Sequence, residues 1–378
     1  MKAFVLGDEA LASDAGRFVW LEIDTEQPES APFRVRYGVQ ALPTYFIIDP
    51  RAERILARRV GGATVAQLKE FLNTGETAYG GEALGPADRA VARAESLYAA
   101  GETAAAVAAY RGALEEAGPA WTGYAATVEA LLFALQMEGR ARETAELAAR
   151  AYPRLRMSPA AANVAASGLD AALSAASEDS AGASGLVRTM MAAAGEVVED
   201  PHIPVVADDR SAVYPTLAAA HEALGDTAAA AAVYEAWAAF LDREAGAAAR
   251  PEERTVFDSH RLSAYLMMGR PEGAVGFLQR SEADFPADYN PPSRLAVAYL
   301  RMGRLDDALA ANDRALAMVY GPRKIRVLLH RVDILDAQGR SDAAARVLRD
   351  ALALAESLPP GQRSERTIAA LERRLAGG

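Results

Sequence analysis

From residue 86 onward, apolar positions recur at steps of three and four, the spacing that puts them on one face of a helix. The clearest stretch is Leu295 to Leu316, LAVAYLRMGRLDDALAANDRAL. Ala296 and Tyr299 precede Gly303 by seven and four residues, and Ala308, Asn312 and Ala315 follow it by five, nine and twelve. Each set falls on one face of its own helix. Gly303 stands where the two helices must part, because glycine takes positive φ at a helix C-terminus without steric cost. Asp306 and Asp307 open the second helix, where carboxylates suit the positive end. The pattern predicts a helical hairpin.

The same spacing surrounds Gly101, Gly139, Gly225, Gly269 and Gly339. Four before them stand Leu97, Leu135, His221, Tyr265 and Leu335, and five after stand Ala106, Thr144, Ala230, Ala274 and Ala344. Successive glycines are 38, 86, 44, 34 and 36 residues apart. The gap of 86 spans two units, so a further, degraded hairpin is expected between Pro159 and Pro201. These residues resemble the tetratricopeptide repeat, a helix-turn-helix unit of about 34 residues. The resemblance covers roughly residues 86 to 378 and implies a helical solenoid of about seven hairpins. Ser174–Ser184, Glu199–Arg210 and Ala245–Glu253 are expected as interruptions. Pro359, Pro360 and Gly361 end the last hairpin, and residues 364–375 are expected as a terminal capping helix.

The first 78 residues follow another rhythm. Arg17–Asp24 (RFVWLEID), Thr44–Asp49 (TYFIID) and Arg54–Val60 read as strands, with a short helix over Pro32–Val39. Asp49-Pro50-Arg51-Ala52 is a turn, so the last two strands form a hairpin. Thr64 and Gln67 have capping-box spacing and open a helix. Residues 74–88, rich in Gly and polar residues, read as a linker. The order of these pieces, with Leu42-Pro43-Thr44 ahead of FIID, is similar to the rear half of a thioredoxin fold. That resemblance implies a cis bond at Pro43 and a substrate-backbone platform at Leu42, Pro43 and Thr44. It also implies an earlier strand and a helix opening with W-C-x-x-C, which this sequence lacks. One explanation is that Met1 is an internal methionine of a longer chain. The other is a degenerate, non-redox domain.

The expected architecture is therefore mainly α. A thioredoxin-like α/β segment spans residues 1–78 and a linker residues 79–87. Tetratricopeptide-like repeats span residues 88–361 and a capping helix residues 362–378.

Composition narrows the chemistry. The 378 residues include no cysteine, which removes disulfides, thiolate nucleophiles and cysteine-held metals for this chain. Net charge is −11, against the basic surface that nucleic-acid binding requires. No run of about 18 apolar residues suggests a membrane span. The chain as it stands reads as cytoplasmic, and an upstream extension could make it periplasmic or exported. The alanine excess and the arginine-dominated basic charge point to a GC-rich bacterial genome. The four histidines do not pair at a helical metal spacing. No phosphate loop, nucleophile elbow or zincin motif occurs. No catalytic residue, metal or cofactor is expected.

Stacked hairpins leave a concave face lined by the first helix of each pair. By resemblance, the groove positions lie two, three, six and ten residues before the turn glycine. They place Glu95, Tyr98, Glu129, Phe133, Met137, Glu222, Met267, Val297, Arg301, Asp333 and Asp336 on that face. Acids mixed with apolar and Met side chains suit a protein or peptide partner with basic and apolar residues. The sequence thus points to a non-catalytic interaction scaffold. The alternative is the larger part of a thiol-disulfide oxidoreductase whose redox motif lies upstream.

Overall fold

The structure is a computed structural model that describes residues 2–39, 41–80 and 85–377. Helical turns at Lys2–Leu6 and Glu9–Asp14 lead to the short helix α1 (Ala31–Arg36), the strands β1 (Thr44–Asp49) and β2 (Arg54–Val60), and helix α2 (Val65–Gly80). The helices α3 (Pro86–Ala99), α4 (Thr103–Ala117), α5 (Tyr124–Met137), α6 (Ala141–Leu155), α7 (Ala161–Glu178), α8 (Ser180–Glu199), α9 (Ala207–Ala223) and α10 (Thr227–Ala247) follow. The chain continues through α11 (Pro251–Thr255), α12 (Asp258–Met267), α13 (Glu272–Asp284), α14 (Asn290–Arg301), α15 (Leu305–Met318), α16 (Arg323–Ala337), α17 (Ser341–Ser357) and α18 (Glu365–Ala376). Two compact units emerge: residues 1–19 with 38–240, and residues 20–37 with 241–378.

Among the described residues, the pairs α3/α4, α5/α6, α7/α8, α9/α10, α12/α13, α14/α15 and α16/α17 make seven hairpins. Six turn on the glycines read from the sequence, each with φ between 69° and 81°. At every one, the glycine N–H bonds the carbonyl three residues back, and the next N–H bonds the carbonyl four before the glycine. At Gly303 these bonds are Gly303 N to Leu300 O at 3.0 Å and Arg304 N to Tyr299 O at 2.9 Å. This is the Schellman closure, which satisfies carbonyls that the helix end would leave bare. An L-residue at such a φ is strained, which is why glycine recurs there.

The seventh hairpin, α7/α8, has no glycine at its turn. Asp179 alone breaks the helix at φ −143°, and its side chain accepts the Gly182 N–H at 3.0 Å. The expected loop over Ser174–Ser184 is therefore helical except at Asp179. A run of Ser, Gly and Asp has low helix propensity, but burial of Ala171, Ala172, Ala175, Ala183 and Val187 outweighs it. The break near Ala245–Glu253 likewise shrinks to residues 248–250.

In the first unit, Tyr98, Tyr110, Leu131 and Leu135 fill the core of α3–α5, and Leu132, Leu169, Met190 and Val213 continue it to α9. In the second, Leu262, Leu278, Leu295 and Ile334 hold α12–α16, while Leu335, Leu348, Ile368 and Leu371 seat α18 on α16 and α17. Ser364 caps α18 by accepting the Thr367 N–H at 3.2 Å.

The front segment departs further from expectation. β1 and β2 pair antiparallel from Thr44↔Val60 to Asp49↔Arg54, with an irregularity at Ile47/Ile48. Asp49 Oδ1 accepts the N–H of Arg51 at 2.9 Å and of Ala52 at 3.3 Å, which fixes the turn. The Thr64/Gln67 capping box forms with bonds of 2.8 and 3.2 Å. Ile47, Leu68 and Leu72 pack the hairpin on α2. The Leu42–Pro43 bond is cis.

Arg17–Asp24, however, is not a strand. A strand needs a ladder partner, and β1 and β2 form a two-stranded sheet. Val19 and Leu21 stay 87% and 78% exposed. Residues 24–27 dock instead within the second unit. Asp24 accepts the Tyr320 hydroxyl at 2.5 Å, Glu26 accepts the Arg323 N–H at 2.9 Å, and Gln362 Nε2 donates to the carbonyls of Thr25 and Gln27 at 2.9 and 2.7 Å. The three-strand arrangement implied by the thioredoxin resemblance is thus not formed. Nor is 74–80 a linker: α2 continues to Gly80, because Gly75 lets the helix close on Ile47, and residues 81–84 of the expected linker lie outside the described set.

Candidate functional site

The expected groove residues of the first repeats face β2 of the same chain. Glu95 on α3 meets Arg58 with Nη1 3.3 Å from Oε2, the two side chains being 2% (Arg58) and 15% (Glu95) exposed. The Tyr110 hydroxyl on α4 donates to the other Glu95 oxygen at 2.5 Å. The Arg58 guanidinium lies 4.6 Å from the centre of the Tyr98 ring, and Tyr98 in turn contacts Phe133 at 6.0 Å. Tyr98 is a core residue, 2% exposed. One residue along, Arg59 Nη2 stands 4.0 Å from Glu129 Oε2 on α5, while its Nε donates to the Gly62 carbonyl at 3.0 Å. Glu129 Oε1 accepts from Asn163 Nδ2 on α7 at 2.7 Å.

Burial drives the electrostatics of this face. Desolvation pushes the Glu95 carboxyl up, opposed by the Tyr110 hydrogen bond and by Arg58. Glu129 is raised for the same first reason, with Asn163 and Arg59 opposing. Asp209, at the start of α9, is pushed up to about 6 by burial and then by the neighbouring charges of Asp208 and Glu129. A basic strand thus lies on a run of carboxylates contributed by alternate helices.

Between β2, α2 and the helices α3, α5 and α7 remains a cavity of about 390 Å³. Phe71, Trp121, Phe133 and Leu56 supply its apolar wall. Trp121 is held by its Nε1 donating to Asp88 at 3.2 Å. Gly123 makes room for the ring, since a Cβ there would lie 2.3 Å from Trp121 Cζ2.

The other expected positions are scattered. Met137 is 55% exposed, and Glu222 accepts the Tyr234 hydroxyl at 3.0 Å. In the second unit Met267 is 52% exposed, Arg301 is exposed and Val297 packs against the core. Asp333 and Asp336 both meet Arg374 of α18, at 2.6 and 3.5 Å. Leu42 is 52% exposed, and Thr44 donates its hydroxyl to the Ala41 carbonyl at 2.6 Å. The sequence did not reveal Arg58, Arg59 or Arg374, each paired with an acid 37 or more residues away. The one available hint was the basic-apolar composition of RILARRV itself.

Among the described residues, no group of three or more His, Cys, Asp or Glu is placed to hold a metal. No described helix is long and apolar enough to cross a membrane.

Residues 289–357 match the family model described as tetratricopeptide repeat. No curated protein matches the chain. Among solved structures, a tetratricopeptide repeat protein from Parabacteroides merdae is similar at 13% identity and TM-score 0.48, covering 77% of this chain and 98% of that one. The TPR2AB domain of yeast Sti1, in a complex with pHSP90, is similar at 17% identity and TM-score 0.28, with coverage of 77% and 98%. A chain of the APC/C hetero-tetramer Cut9-Hcn1 is similar at 13% identity and TM-score 0.23, with coverage of 82% and 88%.

Proposed function

We propose that this protein is an interaction scaffold whose helical repeats grip extended segments bearing basic and apolar residues. The observation that carries the reading is intramolecular. The first repeats hold β2, RILARRV, through Glu95 and Glu129. Carboxylates on successive first helices recognise an extended arginine-bearing chain by charge, and the apolar positions between them supply contact area. The family match over residues 289–357 agrees with this use of the later repeats. In this reading residues 1–78 form a non-redox docking segment, and residues 88–361 form the binding array closed by 362–378. Leu42, Pro43 and Thr44 are the segment's candidate contact platform. Nothing in the fold favours the oxidoreductase alternative.

The test is fluorescence anisotropy with a panel of extended peptides of equal length that differ in charge. Basic-apolar peptides are expected to bind and acidic ones are not. Asp333→Lys with Asp336→Lys is expected to weaken binding at least tenfold. Equal binding of all peptides, or of none, contradicts the proposal.

A further inference from the structure

The cavity behind β2 has a chemistry that the strand does not use up. Its volume, about 390 Å³, falls in the range of small-molecule sites, about 300–1,000 Å³. Its lining carries four carboxylates, on Glu70, Asp88, Glu95 and Glu129, against two guanidinium groups, on Arg58 and Arg59. Most of this charge has a partner within the protein. Glu95 is bound by Arg58 and Tyr110, and Asp88 accepts from Trp121.

Glu129 differs. Its Oε1 accepts from Asn163, but Oε2 lies 4.0 Å from Arg59, beyond hydrogen-bond reach. That oxygen belongs to a largely desolvated carboxylate, whose charge an added cation would stabilise. Asp209 adds to the negative potential near it. The neighbouring aromatic wall, Phe71, Trp121 and Phe133, attracts cations through ring quadrupoles as well as offering apolar contact.

An anionic ligand fits less well. Nε and Nη2 of Arg58 have no hydrogen-bond partner, but both atoms have less than 1 Å² of accessible surface. The Nε of Arg59 is engaged by the Gly62 carbonyl at 3.0 Å. A carboxylate entering here would meet more like charge than unlike.

We propose that this cavity binds a small monocationic ligand with a flat apolar body, its ammonium or amidinium group on Glu129 Oε2 and its body against the aromatic wall. The site shares Glu129 with the scaffold reading, but its ligand is a small molecule and its test does not use the peptide panel, so the two can fail separately. Tryptamine and benzamidine serve as cationic probes and indole-3-propionate as the matched anion, titrated into the full chain by isothermal calorimetry. Saturable one-to-one binding of a cationic probe is expected, at least tenfold tighter than the anion. Glu129→Gln is expected to weaken it at least tenfold, and the exposed control Met157→Ala, outside the cavity lining, to leave it unchanged. Retained unfolding temperature of Glu129→Gln separates loss of the site from loss of the fold. Should that variant not fold, Ala130→Phe, which fills the cavity from the same helix, takes its place with the same expected loss. No saturable binding by either cation, equal binding of the anion, or a folded variant that binds as well as the parent overturns the proposal.

Discussion

Replacing Arg58 tests whether β2 is held by the repeats or merely rests near them. Arg58→Met keeps an unbranched apolar stem but removes the guanidinium from Glu95 and from the Tyr98 ring. Breaking a buried ion pair costs about 3–5 kcal/mol when the remaining charge is trapped. Glu95 is not wholly trapped, because burial already favours its protonated form and Tyr110 still donates to it. The expected loss is therefore about 2–4 kcal/mol, of which the ring contact accounts for roughly 1 kcal/mol. Glu95→Gln alone leaves Arg58 charged and buried, at a similar cost. The double variant removes both charges and keeps the Tyr110 bond to the side-chain carbonyl. Its loss is expected to fall short of the sum by about 2 kcal/mol. Hydrogen exchange of the β2 amides measures these terms as local opening free energies. A coupling below about 0.5 kcal/mol would refute the idea that this pair fastens the strand.

Other expectations follow from single contacts. Gly321 has φ +61°, and a Cβ there would lie 2.4 Å from the Glu26 carbonyl oxygen. Gly321→Ala should therefore free residues 24–27 from the second unit, seen as faster proteolysis between residues 20 and 37. Asp209 has a carboxyl raised to about 6 from 3.8, so its contribution is most favourable below pH 3.8 and is lost as pH rises through 6. Full expression of that shift is worth about 3 kcal/mol, and partial solvent contact lowers it to about 1–2 kcal/mol. Asp209→Asn should stabilise at pH 7.5 by that amount and have little effect at pH 4 in urea unfolding. Asn312 is fully buried and donates to the Val327 carbonyl at 2.9 Å, tying α15 to α16. Asn312→Ala should cost about 1–3 kcal/mol by the same assay.

How far the sequence disclosed this arrangement depends on the range of the interaction. The hairpins were legible because each is local: a period of 3.6 residues, a glycine at positive φ and small residues where helices meet. The α7/α8 hairpin was inferred from spacing, while its turn was misread, since one capping aspartate suffices where a loop of eleven residues seemed necessary. The β-branched and aromatic run in RFVWLEID signals an extended chain but not whether a neighbour is present to pair with it. Gly321, Gly361 and Gln362 receive the residues that follow it, Thr25 to Val35, from more than 290 residues away, and a repeat pattern gives no sign of such a role. Glu95 and Glu129 were found by repeat position, yet their arginine partners were not, because those contacts join elements of different kinds.

Trypsin kinetics test the central claim, that an arginine strand of this chain is seated on the acidic face of its first repeats. Arg51 and Arg54 are exposed, whereas the side chains of Arg58 and Arg59 are 2% and 13% exposed. Mass spectrometry of a timed digest should show early cleavage after Arg51 or Arg54 and protection after Arg58 and Arg59. That protection should be lost in the Glu95→Gln, Glu129→Gln double variant. Cleavage after Arg58 or Arg59 in the parent chain as fast as after Arg51 would contradict the account.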